Sequence, residues 1–274
     1  MVTKADIHEK IIKRWRVYKT RKDLGLKLYE LILYDTVYFL SKRRRTLLGR
    51  KIWNSNARRV AFSNYGLKFT ENSNINEVIF DRSYTRHNLF LPSEEDIVVD
   101  VGAQDGDYAV LCSKFYRAKV YAFEPLFDNF KTIQKNIKLN QLQINRIKAF
   151  NIALGDKRVT KEITFYKDMA NNTGKGHKIK IKFRTLDSYK LNPTILKVDV
   201  EGFEMDVLNG AIETISKYKP KIIVETHSSI LEKSVLRFLS KFGYSLMYKS
   251  KSWYGAANPE FNKVTNLFLS TKTN

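Results

Sequence analysis

Residues 97–106 read Ile-Val-Val-Asp-Val-Gly-Ala-Gln-Asp-Gly, and residues 119–125 read Lys-Val-Tyr-Ala-Phe-Glu-Pro. Apolar runs of this length predict strands that are buried on both faces of a parallel sheet. The first run ends in Asp100 and two glycines spaced G-x-x-x-G, which let the backbone approach a ligand closely. The second ends in Glu124, whose carboxylate can accept hydrogen bonds from ribose hydroxyls. Together they predict a nucleoside pocket at the carboxyl edge of a parallel sheet.

Further apolar runs alternate with helical patterns along the rest of the chain. The other predicted strands cover Ile147–Leu154, Ile195–Val200, Ile222–Val224, Tyr244–Tyr248 and Val264–Thr271, and the predicted helices cover Tyr108–Phe115, Asn129–Asn140, Glu204–Tyr218 and Leu231–Phe242. This alternation predicts an α/β sheet, mostly parallel, with helices on both faces. The last two strands have no helix between them, so we expect an antiparallel hairpin there. Short strands are also expected near Gly66–Phe69 and Glu77–Phe80.

The composition indicates a folded chain whose positive charge is unevenly distributed. Of the 274 residues, 43% are hydrophobic, which is enough for a sizeable core and excludes wholesale disorder. The formal net charge is +21, and residues 1–60 hold 17 Lys and Arg against 5 Asp and Glu. We therefore expect a basic helical N-terminal extension over residues 1–75 and a main domain over 76–274. The basic region suits an anionic partner, either RNA or acidic lipid, or else forms a solvated face.

Three features of the sequence bear on where the protein acts. Residues 26–40 are apolar but are interrupted by three charged side chains and are shorter than the roughly 20 residues of a membrane span, so they predict an amphipathic helix. No signal peptide is expected, because no apolar segment with a cleavage site follows the charged start of the chain. The single cysteine, Cys112, fits a reducing compartment. We expect a cytoplasmic protein, free or bound peripherally at a membrane surface.

The glycine loop favours S-adenosyl-L-methionine over a dinucleotide cofactor. A dinucleotide fingerprint reads G-x-G-x-x-G, but Ala103 and Gln104 stand where the second glycine would come. Asp100, the acid before the first glycine, suits a cationic ammonium or sulfonium group better than a phosphate. The small and polar residues that end the third predicted strand, Asn151 and Ala153, can flank an adenine ring.

The fourth predicted strand leads into a cluster of carboxylates. Residues 196–204 read Leu-Lys-Val-Asp-Val-Glu-Gly-Phe-Glu. Asp199 and Glu201 come where an acceptor would meet the cofactor, and crowding of like charges can raise one pKa toward that of a general base. Glu204 is explained as a first-turn acid that complements the helix dipole. We therefore expect Asp199 and Glu201 to act in the reaction.

The fifth predicted strand ends in Glu225 and His227. A carboxylate beside a histidine can fix its tautomer and raise its basicity, which favours acid–base or acceptor-orienting work; a structural histidine is the alternative. A divalent cation site is an alternative at this edge, but His227 and Glu225 would have to join the carboxylates of the fourth strand and the spacing typical of a catechol-type metal site is not evident, so we assign no metal ligands. The polar residues 168–177 are expected to cover the substrate, with an ordinary surface loop as the alternative.

These motifs together resemble the FkbM family of S-adenosylmethionine-dependent methyltransferases. The resemblance runs from Glu77 to Thr271 and depends on residues 99–108, 122–125, 151–155, 185–187, 197–204 and 224–227. Its most specific element is the run Lys-x-Asp-x-Glu-Gly-x-Glu, and its one departure is Gln104, where asparagine is expected. The resemblance implies a class I methyltransferase fold with a Rossmann-like seven-stranded sheet. It also implies methylation of a hydroxyl oxygen on a glycan, a lipid-linked sugar or a secondary metabolite.

The resemblance further implies roles for individual residues. Gly102 and Gly106 would line the methionine part of the cofactor, and Glu124 would bind the ribose. The residues expected at the reacting centre are Asp199, Glu201, Glu225 and His227. The residues expected around the cofactor are Asp100, Gly102, Ala103, Gly106, Tyr108, Glu124, Pro125, Asn151, Ala153 and Asp199. The alternative function is RNA methylation, in which residues 1–60 would hold the phosphate backbone.

Overall fold

The computed structural model describes residues 58–59, 61–71, 73, 75–79, 83–85, 87–165, 177–251 and 264–271. The chain divides into two compact units, residues 1–72 and 73–274. In the first unit, residues 61–65 are helical, and Gly66 N donates a hydrogen bond of 2.9 Å to Phe62 O. Most of the predicted basic extension, including residues 26–40, lies outside the described residues, so its helical character stays a prediction.

The second unit holds the strands and helices of an α/β fold. Its strands are β1 (Ile97–Val101), β2 (Lys119–Phe123), β3 (Ile147–Phe150), β4 (Ala153–Leu154), β5 (Val159–Phe165), β6 (His177–Arg184), β7 (Ile195–Val198), β8 (Lys221–Thr226), β9 (Tyr244–Lys251) and β10 (Thr265–Thr271). Its α-helices are α1 (Asn76–Ile79), α2 (Asp107–Lys114), α3 (Phe127–Leu139), α4 (Glu204–Asn209), α5 (Ile212–Tyr218) and α6 (Ser229–Ser240). Two 3₁₀ turns cover Asn88–Phe90 and Asp187–Tyr189. No helix in the described part of the chain is long and apolar enough to cross a membrane.

Seven strands form the main sheet in the order β3-β2-β1-β7-β8-β10-β9. The first five are parallel, and β10 is antiparallel to both of its neighbours. This confirms the predicted seven-stranded, mostly parallel sheet with a C-terminal antiparallel hairpin. The strand order reverses between β1 and β7. Sheets of this kind bind their ligands in a crevice at the carboxyl edge beside such a reversal, and we call this place the β1–β7 crevice.

The apolar runs are buried because helices cover both faces of the parallel strands. Val99 of β1 and Leu196 of β7 are register partners, and neither side chain is exposed. Phe123, at the end of β2, stacks on Phe150 of β3 with ring centroids 4.8 Å apart. The end of each central strand is therefore fixed by packing, which positions the polar residues that follow it.

A second, three-stranded sheet, in the order β4-β6-β5, is a feature that the sequence did not predict. The predicted strand Ile147–Leu154 is in fact two strands, since β3 belongs to the main sheet and β4 to the small one. The small sheet buries Ala153, Ile181 and Phe183. Of the predicted lid at 168–177, only His177 is described, and it begins β6. The lid's covering role therefore stays a prediction.

Other predicted elements also need correction. The predicted helix Glu204–Tyr218 is interrupted between α4 and α5 at Gly210, where an added Cβ would lie 1.9 Å from the backbone oxygen of Gly155. The predicted strand Glu77–Phe80 is wrong, because residues 76–79 form α1. No strand forms at Gly66–Phe69 either. Short apolar runs do not distinguish a strand from a helical turn.

Candidate active site at the carboxyl edge of the sheet

The glycine loop after β1 packs directly against the residue that follows β7. Gly102 has φ +76°, and an added Cβ would lie 1.7 Å from the backbone oxygen of Asp199, so only glycine fits there. Ala103 is buried beside it. Gly106 also has φ +76° and precedes α2, with an added Cβ 3.1 Å from Cγ1 of Ile133. The protein's own packing therefore requires these glycines, and their contact with a cofactor stays a prediction.

Glu124 ties this glycine loop to the end of β2. Its side chain is 4% exposed, and its carboxylate accepts hydrogen bonds from the backbone N–H groups of Gln104, at 2.9 Å, and Leu126, at 2.8 Å. Burial raises the pKa of Glu124 to about 7, although these hydrogen bonds oppose the rise. The carboxylate expected to bind ribose is thus held by two backbone donors and titrates near neutral pH.

The other residues expected around an adenosine group are not all in one place. Asn151 donates from Nδ2 to the backbone oxygens of Glu124, at 3.0 Å, and Pro125, at 2.9 Å, so its amide holds the turn after β2. Ala153 lies in β4 and packs in the small sheet. Tyr108 is buried in the first turn of α2. Glu124, Pro125 and Asn151 therefore lie together at the turn after β2. Ala153 and Tyr108 pack elsewhere in the fold.

Asp100, Lys197 and Asp199, at the ends of β1 and β7, form with Tyr84 of the turn at residues 83–85 a group that we call the paired cluster. Lys197 is the register partner of Asp100, and its Nζ lies 3.1 Å from Oδ1 of that residue. The same Nζ lies 3.8 Å from Oδ2 of Asp199 and donates to the backbone oxygen of Gly102 at 2.9 Å. Tyr84 donates from its hydroxyl to Oδ2 of Asp199 at 2.8 Å.

Within the paired cluster, the ammonium of Lys197 compensates the carboxylate of Asp100. The side chains of Asp100 and Lys197 are 0% and 4% exposed. Burial alone would lower the pKa of Lys197, but Asp100 and Asp199 outweigh burial and raise it above its ordinary value. Burial raises the pKa of Asp100, and Lys197 works against that rise. The cation that faces Asp100 here is therefore Lys197, and a ligand ammonium or sulfonium at Asp100 stays a prediction.

A second group of charged residues, which we call the acid-rich cluster, consists of Glu201, Glu204, Glu225 and His227. Nε2 of His227 lies 3.3 Å from Oε2 of Glu201 and 3.7 Å from Oε1 of Glu225. Its Nδ1 lies 3.4 Å from Oε1 of Glu204, which also accepts a hydrogen bond from the backbone N–H of Gly202. The ends of β7 and β8 thus bring all four residues together around one imidazole.

The carboxylates control the protonation of this imidazole. Burial alone would lower the pKa of His227, but the four acids Glu204, Glu201, Asp199 and Glu225 outweigh it and raise the pKa to about 9. At neutral pH the ring is therefore an imidazolium, which donates hydrogen bonds and does not accept a proton. Glu201 has φ +52° and an 84% exposed side chain, so its carboxylate is the one open to an acceptor.

Two roles that the sequence did not reveal become visible in these clusters. Glu204 is fully buried against His227, so it is more than a helix-dipole partner. Tyr84 was not predicted as a site residue, and no local pattern marks it. The pairing of Lys197 had a faint signal, since a lysine within an apolar run requires a buried partner.

In addition, Asp199, Glu201 and His227 offer ligand atoms that lie within 4.8 Å of one another, and they could hold a metal ion.

Comparisons with known proteins agree on one family. Residues 100–246, more than half of the chain, match the family model described as the Methyltransferase FkbM domain. The hexuronic acid methyltransferase AglP of Haloferax volcanii is 29% identical over 199 residues, which cover 65% of this chain and 78% of that protein. The methyltransferase sdnD of Sordaria araneosa is 24% identical over 231 residues, which cover 69% of this chain and 86% of that protein.

A solved structure supports the same fold. The methyltransferase FkbM from Methylobacillus flagellatus KT aligns with a TM-score of 0.52 at 17% identity. The alignment covers 95% of this chain and 60% of that chain, so this chain spans less than two thirds of the solved protein. At this identity the likeness shows the shared fold. The family match at residues 100–246 includes the acid-rich cluster and all of the paired cluster except Tyr84.

Proposed function

The chain belongs to the FkbM methyltransferase family, and we propose that it transfers a methyl group from S-adenosylmethionine to a hydroxyl oxygen of a glycan, lipid-linked sugar or secondary metabolite. The observation that carries this proposal is the arrangement at the β1–β7 crevice. A buried carboxylate follows β2, at Glu124, and an open carboxylate follows β7, at Glu201. A relative named a hexuronic acid methyltransferase supports a sugar as the acceptor.

The ends of β1 and β2 fit an adenosine cofactor. Glu124 can exchange backbone donors for ribose hydroxyls, and its neighbour Asn151 holds the turn that carries it. Gln104 occupies the position at which a dinucleotide loop has its second glycine. When bound, S-adenosylmethionine supplies a methyl group on a positively charged sulfur, which is already a good leaving group.

The ends of β7 and β8 supply the acceptor side of the reaction. Asp199 and Glu201 lie at the crevice, where carboxylate oxygens can accept a hydrogen bond from an acceptor hydroxyl and take its proton. His227, held as a cation by Glu204 and Glu225, fixes the orientation of Glu201. The enzyme's main contribution is alignment of the acceptor oxygen with the methyl group.

Methyl transfer can be tested with methyl-labelled S-adenosylmethionine and an extract of the host cell. The wild type is expected to label an extractable acceptor, and Glu201→Gln is expected to lose label while its cofactor affinity, measured by calorimetry, is retained. Glu213→Gln, which changes an exposed acid on α5, serves as the matched control. Full labelling by Glu201→Gln would contradict the role of that carboxylate, and no affinity for the cofactor would contradict the proposal as a whole.

The class of acceptor follows from the fraction that takes up label. Label in glycans, lipid-linked sugars or small metabolites supports O-methylation, and label in a lipid-linked fraction further supports a peripheral membrane dock through residues 1–60. Label in RNA would instead favour the alternative function, for which the 17 Lys and Arg of residues 1–60 are the supporting observation. That outcome also predicts RNA retention that falls steeply with salt.

A further inference from the structure

Asp199, Glu201 and His227 bring two carboxylate oxygens and one imidazole nitrogen to one point beside the crevice. One atom from each lies within 4.8 Å of the others, and Nε2 of His227 is 3.3 Å from Oε2 of Glu201. In an octahedral Mg²⁺ site with bonds of about 2.1 Å, neighbouring ligand atoms are about 3 Å apart and opposite ones about 4 Å. The three side chains therefore need to move by less than about 1 Å to share one cation.

The buried carboxylate of Glu204 lies on the Nδ1 side of the His227 imidazole. The side chain of Glu204 is fully buried, its Oε1 lies 3.4 Å from Nδ1 of His227, and its Oε2 has no hydrogen-bond partner among the residues that the structure describes. Histidines that bind metals direct one nitrogen at the metal and the other at a carboxylate or carbonyl that orients the ring. Glu204 is placed to orient the ring in this way, with Nε2 on the side of Glu201.

The charges around this point are unbalanced. Four carboxylates, those of Asp199, Glu201, Glu204 and Glu225, surround His227. The nearby Lys197 is already engaged by Asp100 and by the backbone oxygen of Gly102, and it lies 3.8 Å from Asp199. Like charges at this spacing repel one another, and a divalent cation between them offsets that repulsion.

We propose that Asp199, Glu201 and His227 bind a divalent cation, Mg²⁺ or Mn²⁺, with Glu204 as the residue that positions the histidine. The cation takes the place of the proton on Nε2 of His227, which is released when the cation binds. Carboxylate ligands favour these hard cations. Three protein ligands leave coordination positions for oxygens of the acceptor, and a bound cation lowers the pKa of a hydroxyl that it contacts. The role in acceptor binding rests on the proposed function, and it deepens that function by selecting acceptors with two neighbouring oxygens. The binding of the cation itself does not depend on it.

Cation binding can be measured with Mn²⁺ alone, in the absence of methyl donor and acceptor. The full chain is expected to bind one Mn²⁺, as read by calorimetry and by loss of the free-ion signal in electron paramagnetic resonance. Glu201→Gln is the main variant, because its exposed side chain can change without disturbing the fold. We expect at least a tenfold loss of affinity in Glu201→Gln and His227→Gln, and a loss of about tenfold or more in Glu204→Gln. Glu213→Gln is expected to bind as the wild type does.

The outcomes separate the cation site from the proposed function. Absence of Mn²⁺ binding by the wild type, or equal binding by Glu201→Gln and Glu213→Gln, overturns the site. One Mn²⁺ per chain that is lost in Glu201→Gln supports it, even if no acceptor is ever methylated. Methyl transfer that continues unchanged in excess chelator overturns the role in acceptor binding and leaves the proposed function standing.

Discussion

The paired cluster and the acid-rich cluster follow neighbouring strands of one sheet, yet their charges are balanced differently. In the paired cluster a buried lysine faces Asp100 and Asp199, and Tyr84 donates a further hydrogen bond. In the acid-rich cluster three glutamates surround one histidine, and the side chain of Glu201 is mostly exposed. In the paired cluster Lys197 compensates the buried carboxylate of Asp100. In the acid-rich cluster the carboxylate of Glu201 is exposed and open to an external partner.

The difference separates a structural role from a chemical one. A buried and compensated ion pair holds two strand ends in register, because breaking it would leave a charge without a partner. A crowded and partly exposed set of acids changes its protonation or binds a cation when a ligand arrives. Asp199 contacts Tyr84 in the paired cluster and lies close to Glu201 and His227 of the acid-rich cluster. The paired cluster therefore positions one carboxylate beside the acid-rich cluster.

The largest expected effect comes from breaking the paired cluster at Lys197. Lys197→Met leaves Asp100 buried without its cation, and we expect a loss of about 3–5 kcal/mol in the free energy of unfolding. Urea unfolding followed by circular dichroism measures it. The double variant Asp100→Leu/Lys197→Met is expected to recover most of the loss. A single variant as stable as the wild type would show that the pair contributes nothing to register.

Alanine substitutions at Gly102, beside the paired cluster, and at Gly202, beside the acid-rich cluster, compare the packing of the two regions. Gly102 and Gly202 both have positive φ, so alanine at either costs about 1–2 kcal/mol in backbone strain. Only at Gly102 does the added Cβ meet an atom, the backbone oxygen of Asp199, whereas nothing lies within 4 Å of an added Cβ at Gly202. We therefore expect Gly102→Ala to be less stable than Gly202→Ala by about 1–3 kcal/mol in thermal or urea unfolding. Equal losses would contradict the close packing of the glycine loop.

Glu124 allows a pH-dependent test. Its carboxylate is held by two backbone N–H donors, much as the carboxylates of the paired cluster are held by Lys197. Ribose hydroxyls hydrogen-bond best to the ionised carboxylate, and the pKa of Glu124 before binding is about 7. Affinity for S-adenosylmethionine is therefore expected to rise as the pH rises through 7 and then to level off, about tenfold in all between roughly pH 6 and pH 8. Calorimetry at several pH values measures it. Glu124→Gln should bind more weakly and without this dependence, and a wild type with flat affinity would refute the ribose assignment.

The smallest expected effect is at Tyr84, the residue of the paired cluster that donates a hydrogen bond to Asp199. Tyr84→Phe removes one hydrogen-bond donor from a carboxylate that is 19% exposed, so water replaces part of the interaction. We expect a loss of about 1 kcal/mol in the free energy of unfolding. Turnover should fall while the affinity for the cofactor is kept, because Asp199 is positioned less firmly. Unchanged turnover would assign Tyr84 a packing role alone.

Much of the main sheet could be predicted because its strands are short apolar runs with clear ends. The bounds of β1 and β2 were predicted from runs that end in glycine or in Glu124. The small sheet was missed because β6, His177–Arg184, alternates lysine with apolar residues and buries one face only. The apolar residues of such a strand alternate with lysines, so no continuous apolar run marks it.

The candidate site could be predicted only in part, because some of its contacts join residues far apart in the chain. Asp199, Glu201, Glu225 and His227 were marked by their places at or after the ends of β7 and β8, because parallel strands end at one edge. Tyr84 lies 115 residues from Asp199 in the chain, and no local pattern marks a contact of that range. The register of β1 on β7, which sets Lys197 beside Asp100, is likewise a property of the assembled sheet.

The sequence by itself predicted the α/β fold and a candidate site at the carboxyl edge of the sheet. Periodicity and glycine spacing are local patterns, and they were enough to mark the ends of the central strands β1 and β2. Only the tertiary structure decided which charges are compensated, since the balance between Lys197, His227 and the surrounding acids depends on distances across strands. Electrostatic interactions act through space between residues far apart in the chain, and burial strengthens them.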